Sequence, residues 1–133
     1  MGRTDEELIS KRNELMARDT DQIAQIENYG VDKGKERQID LTFWAPDEAR
    51  AKEFAEAAKR NEMPPSLVLG PANPGERNQR WLIRCSIFAS VTFVTTKENL
   101  VTFLLFADKY DCDYDGWGTA IVEAAHSEEA ATQ

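Results

Sequence analysis

Apolar and polar residues recur with two periods along the chain, and the switches between them predict its elements. From residue 4 to 28, Leu8, Leu15, Met16, Ile23 and Ile26 fall at near-helical spacing. Thr4 offers a capping hydroxyl, and Asp5, Glu6 and Glu7 suit the positive end of a helix. Thr20-Asp21 marks a point where the helix could restart, since both residues cap better than they propagate. Tyr29-Gly30 closes the segment, and residues 30–35 (GVDKGK) read as a turn. From 36 to 44 the period drops to two, with Ile39, Leu41 and Phe43 on one side and Gln38, Asp40 and Thr42 on the other. That is a strand with one buried face.

Pro46 opens a second helix, 46–61, whose stripe is Ala51, Phe54, Ala55 and Ala58. Leu67, Val68 and Leu69 form a short strand, and residues 70–78 (GPANPGERN) a loop. Residues 79–91 alternate again. Trp81, Ile83, Cys85, Ile87 and Ala89 take one face, and Leu82, Arg84, Ser86 and Phe88 take the other. Both sets hold large apolar residues, so this strand is expected to be covered on both sides. Thr95-Thr96-Lys97-Glu98 fits a capping box ahead of a helix that runs to Lys109. Its inner stripe is Leu100, Phe103, Leu104 and Ala107. Val101, Leu105 and Phe106 make a second apolar face, to be covered by the N-terminal helix or by a second subunit in a homodimer. A last strand spans 112–122.

The order after the first helix is strand, helix, strand, strand, helix, strand. The fold class is therefore α+β, a ferredoxin-like antiparallel sheet (β-α-β-β-α-β) with an extra N-terminal helix. The chain of 133 residues suits one domain, 1–122, with residues 1–30 as an N-terminal helical segment and 123–133 as a flexible tail.

Charge narrows the function classes. Asp and Glu total 24 against 16 Lys and Arg, a net charge of −8. That disfavours a phosphate-binding surface and favours attraction to basic protein segments. A basic and aromatic set does exist on the middle strands: Phe43, Trp44, Trp81 and Phe88, with Arg80 and Arg84. Alternation places Phe43 and Trp81 in the core stripe, however, so direct nucleic-acid binding is not expected. The start MGRTDEELIS is polar, and no apolar run approaches the roughly 20 residues a membrane span needs. The expectation is a cytoplasmic protein with no membrane contact. Cys85 and Cys112 then read as reduced thiols, although sequence alone leaves a disulfide between them open.

Catalytic patterns are missing. The one histidine, His126, lies in the tail, and no nucleophile elbow or phosphate loop is present. No cofactor is implied, and two cysteines with one histidine do not make a zinc site.

The most distinctive string is Tyr110 to Thr119. Asp111-Cys112-Asp113-Tyr114-Asp115-Gly116 matches the first half of a calcium loop, in which alternate carboxylates converge on a hard cation. The closing bidentate Glu is missing, since Val122 stands there. The other reading is a strand, in which Asp111, Asp113 and Asp115 share one face with Trp117, and Cys112, Tyr114 and Gly116 take the opposite face. Two glycines around Trp117 suggest a bulge. On that reading Trp117 is either an exposed anchor among acids or a core residue.

The run from Lys109 through Thr119, above all Tyr114-Asp115-Gly116-Trp117-Gly118-Thr119, resembles the regulator of ribonuclease activity B family (RraB), bacterial protein inhibitors of ribonuclease E. Outside that run the likeness is one of element order, from about residue 8 to 123. The resemblance implies a ferredoxin-like fold and a cytoplasmic, non-catalytic protein. It also implies binding to the noncatalytic scaffold portion of the ribonuclease, with altered RNA turnover. The partner-binding residues expected on this reading are Asp111, Asp113, Tyr114, Asp115 and Trp117, with a basic segment of the enzyme as partner and no metal.

Overall fold

The computed structural model describes residues 4–70 and 80–119. The tail expected from 123, the end of the last expected strand and most of the 70–78 loop lie outside them. Helix α1 spans Asp5–Asn28, and the Thr4 hydroxyl accepts from the Glu7 N–H at 3.2 Å. It does not restart at Thr20. That hydroxyl donates instead to the Met16 carbonyl one turn back, which lets Thr stay inside the helix.

Strand β1 is Arg37–Ala45 and helix α2 is Glu48–Arg60. Asp47 caps α2, so Pro46 stands before the cap and not in the first turn. Strand β2 is Pro65–Leu69 and β3 is Trp81–Ala89. A single turn, α3 (Val91–Val94), follows under a Ser90 cap, where the sequence had suggested more strand. Helix α4 is Lys97–Lys109 and β4 is Asp113–Gly118. Thr96 caps α4 by accepting from the Asn99 N–H, so the expected capping box is one residue out of register.

Helices α1, α2 and α4 end alike. After each, a residue with positive φ turns the chain, and the next N–H bonds back to a carbonyl of the last turn. At α1 the turning residue is Gly30; at α2 and α4 it is Glu62 and Asp111, with φ of 61° and 59°. A side chain in that conformation costs about 1–2 kcal/mol. Asp111 is thus held by helix geometry before its charge is considered.

The sheet runs β2-β3-β1-β4, antiparallel throughout. Two βαβ units interleave to give the ferredoxin-like arrangement expected from the element order. Ile39, Leu41, Phe43 and Ala45 of β1, with Ile83 and Cys85 of β3, are fully buried beneath α2 and α4. Phe43 sits at the centre, 4.6 Å from the Phe54 ring and 5.2 Å from that of Tyr114. Ala51, Phe54 and Ala58 bury as expected, but Ala57 rather than Ala55 completes the α2 stripe.

Among the described residues no helix covers the opposite face of the sheet, contrary to the expectation for β3. Phe88 is 70% exposed there. The helix that could have covered it, α1, packs instead against α4 and the edge of β4. Both cysteines are free and buried. Burial pushes each thiol up to about 12, and for Cys112 the charges of Asp113 and Asp111 act in the same direction. Neither is a nucleophile at neutral pH.

Phe54 meets Phe43, Phe106 and Tyr110 and has no exposed surface. Phe54→Ala is expected to cost about 3–5 kcal/mol, read as a fall in the urea midpoint.

Candidate functional site

β4 pairs along β1 with one irregularity. Leu41 faces Trp117 and Phe43 faces Tyr114, so Thr42 alone stands opposite both Asp115 and Gly116. This is a β-bulge, and Gly116 takes it up with φ of 101°. The extra residue shifts the alternation by one. Tyr114 and Trp117 therefore both point to the helix side, while the Asp115 carboxyl comes out beside Trp44 on the open side.

The expectation that Trp117 shares a face with the acids is thereby corrected. Trp117 is only 6% exposed, and its indole Nε1–H donates to Asp19 Oδ1 at 2.9 Å. Tyr114 is buried as well, 5.3 Å from Phe103 by ring centre, and its hydroxyl has no hydrogen-bond partner among the described residues. Neither ring is available to anchor a partner. The aromatic that does adjoin the acids is Trp44, which pairs with Asp113 across the strands. Its Nε1–H donates to Asp115 Oδ2 at 3.1 Å, and the Arg80 guanidinium lies 4.7 Å from its ring centre.

The three acids are set differently by their surroundings. Asp111 meets Arg50 at 3.3 Å from the end of α4. Asp113 is half-buried at the start of β4. Asp115 is gripped by α1: Arg18 Nη1 donates to its carboxyl at 3.2 Å, and Lys11 Nζ lies 3.7 Å away. Burial alone would raise the Asp115 carboxyl. The hydrogen bonds from Trp44 and Arg18, with the Lys11 and Arg18 charges, outweigh that and hold it below its ordinary value. Asp111 and Asp115 are thus paired with different cations. Among the described residues no three His, Cys, Asp or Glu side chains come together as a metal would require, and the closing positions of the calcium loop lie outside them.

Sequence reasoning missed what α1 does here. β4 is an edge strand, and its outward carbonyls need donors. α1 supplies them from its side chains. Arg18 Nη2 donates to the Asp115 carbonyl at 3.3 Å, and Gln22 Nε2 donates to that of Trp117 at 2.9 Å. Asp19, only 5% exposed, accepts from the Trp117 indole between them. Burial raises the Asp19 carboxyl above its ordinary value, and the Trp117 hydrogen bond and the Arg18 charge offset this only in part. A signal was present in the sequence. Leu15, Asp19, Gln22 and Ile26 fall on one stripe, and a polar residue inside an apolar stripe points to a buried polar contact.

The two acids impose opposite pH dependences. Asp115 has a depressed folded-state pKa, so its contribution is present above 3.8 and is lost as pH falls through the folded value. Asp115→Asn is expected to cost about 1 kcal/mol at neutral pH, given its exposure, with the deficit vanishing in acid. Asp19 has a raised folded-state pKa, so the folded state is favoured below 3.8 and loses that advantage as pH rises through the folded value. Asp19→Asn keeps an acceptor for Trp117 and is expected to gain on the wild type over that rise. Trp117→Phe strands the Asp19 carboxylate without its donor and is expected to cost about 1–3 kcal/mol at neutral pH. Chemical denaturation of the three variants from pH 3 to pH 7 checks all three signs.

A family model described as Regulator of ribonuclease activity B matches residues 17–119. The match takes in Arg18, Asp19 and Gln22 at one end and all of β4 at the other. No curated protein matches the chain.

Proposed function

The chain belongs to the regulator of ribonuclease activity B family, and we propose that it is a non-catalytic regulator that binds a basic segment of a ribonuclease E-like enzyme and so modulates RNA turnover. The family match over most of the chain carries the regulatory reading. The acidic corner where α4 passes into β4 supports the partner's chemistry. Asp111 and Asp113 sit there, and their charges act on Cys112 together with that of Asp47, opposed by the charge of Arg50. The whole chain adds a net charge of −8, which attracts a cationic segment and speeds encounter.

On this reading Asp111 and Asp113 meet the partner's cations. Trp44 offers the adjoining ring, whose face already holds the Arg80 guanidinium. Asp115 contributes charge from a position fixed by α1. Tyr114 and Trp117 act from beneath, as the residues that hold β4 in place. The proposal places the protein in the cytoplasm. No helix among the described residues is long and apolar enough to cross a membrane.

Isothermal titration of the full chain with the noncatalytic scaffold portion of ribonuclease E tests the proposal. Binding should be tightest at low salt and weaken as salt rises, because exposed charges are screened over about 8–10 Å at physiological ionic strength. The double variant Asp111→Asn, Asp113→Asn should weaken it about 10-fold, the effect expected of removing two partly exposed charge contacts. An absence of binding at low salt would sink the reading.

A further inference from the structure

The open face of the sheet holds a carboxylate that the fold does not pair. Asp40 lies in the first half of β1, half-buried, on the side away from the helices and between the buried Ile39 and Leu41. Its Oδ1 accepts from the Ser86 hydroxyl at 2.7 Å, and among the described residues no Lys or Arg forms an ion pair with it. Asp111 and Asp115, by contrast, meet Arg50 and Arg18. Arg84 and Arg80 lie toward the other end of the same face, one opposite Thr42 and the other over the Trp44 ring.

The neighbours of Asp40 leave it accessible. Ser86 stands opposite it on β3, and Gly118 on β4. Gly118 does not take the positive φ of Gly116, and a Cβ there would meet no atom of the described residues within 4 Å. Neither backbone strain nor packing accounts for this glycine; its effect is a gap beside the carboxylate. Phe88 bounds the gap. It pairs with Gln38, which sets it one diagonal from Asp40, about 7–8 Å in an antiparallel sheet and within reach of a long side chain. Its ring is 70% exposed. A lone exposed Phe is ordinary on any surface. Here the exposed ring, the carboxylate without a cation and the position without a side chain adjoin, and together they match one chemical group. The planar fork of a guanidinium donates to a carboxylate edge while its face stacks on an aromatic ring.

We propose that the gap between Asp40, Gly118 and Phe88 is a binding site for an arginine side chain of the partner's basic segment. An anionic group would face the Asp40 carboxylate directly, so the site selects a cation, and the ring selects a planar one. The inference rests on the proposed regulatory reading for the partner's identity alone; the site itself is set by the register of β1, β3 and β4. It also extends the contact surface. Trp44, which pairs with Asp113, lies further along β1, about 13 Å from Asp40 at strand spacing. One short extended segment spans both places.

Amide NMR of the full chain, titrated to about 10 mM with a capped pentapeptide of alternating glycine and arginine, tests this. The amides of Asp40, Ser86, Phe88 and Gly118 should shift and saturate. The same peptide with citrulline in place of arginine keeps the shape, loses the charge and should leave them unmoved. Asp40→Asn keeps an acceptor for Ser86, and Phe88→Ala changes an exposed position, so both should fold; each should weaken the arginine peptide about 3- to 5-fold, the effect of one exposed charge or ring contact. Gly118→Ala fills the gap and should weaken it as well. The Asp111→Asn, Asp113→Asn variant should show the same shifts at these four amides. If the ribonuclease scaffold fails to bind while the four amides still respond to the peptide, the partner's identity falls and the arginine site stands. Arginine peptide that leaves the four amides unmoved overturns the proposal. So does a citrulline peptide that moves them equally, or an unchanged affinity in either folded Asp40→Asn or folded Phe88→Ala.

Discussion

One extra residue in β4 governs the rest of this molecule. Because Asp115 and Gly116 both stand against Thr42, Trp117 points to the helix side and finds the Asp19 carboxylate. Without the bulge, strict alternation would turn Trp117 into solvent and leave Asp19 buried without its donor. The hydrogen bond ties α1 to the edge of the sheet, and Arg18 and Gln22 on the neighbouring turns satisfy the edge carbonyls. An edge strand that would otherwise be a template for another chain is closed by a helix of the same chain. Gly116 makes this possible by accepting a φ of 101°; a Cβ there would stand 3.6 Å from Arg18 and 3.9 Å from Leu15, ordinary contact, so it is the backbone conformation that calls for glycine.

The architecture was legible because its elements follow their periods closely. β1 shows alternate burial from Ile39 to Ala45, and α2 and α4 each keep a clean inner stripe. Element order then restricted the topology, since two βαβ units close most simply into this sheet. The departures occur where a local rule had two solutions. Thr95 and Thr96 are both capping residues, and the extra turn of α3 places Thr96 at the cap. The open face of β3 holds Leu82 and Phe88, which read as a buried pattern. Whether a helix crosses that face is set by where α1 docks, and that depends on Asp19 and Trp117, nearly a hundred residues apart in the chain.

The acidic string illustrates a harder limit. Composition marked it, and a bulge beside two glycines was foreseeable. Its direction was not, because a one-residue slip moves every following side chain to the other face. That slip divided the expected site in two. Asp111, Asp113 and Asp115 stay on accessible positions, whereas Tyr114 and Trp117 become interior. Trp44, read only as a strand aromatic, becomes the ring beside the acids through its contact with Asp115.

The acids of this segment also separate stability from recognition. Asp115 is bound by Arg18, Lys11 and Trp44, so much of its charge is already spent inside the fold, and its replacement would loosen α1 as well as any surface contact. Asp113 lies two residues before Asp115 in β4, and Asp111 four residues before it, in the turn that follows α4. A loss of partner binding from changes at Asp115 is therefore ambiguous between a missing contact and a shifted helix. The bulge that hid Trp117 thus also sets Asp115 apart from the two acids before it, as the one that ties α1 to the sheet edge.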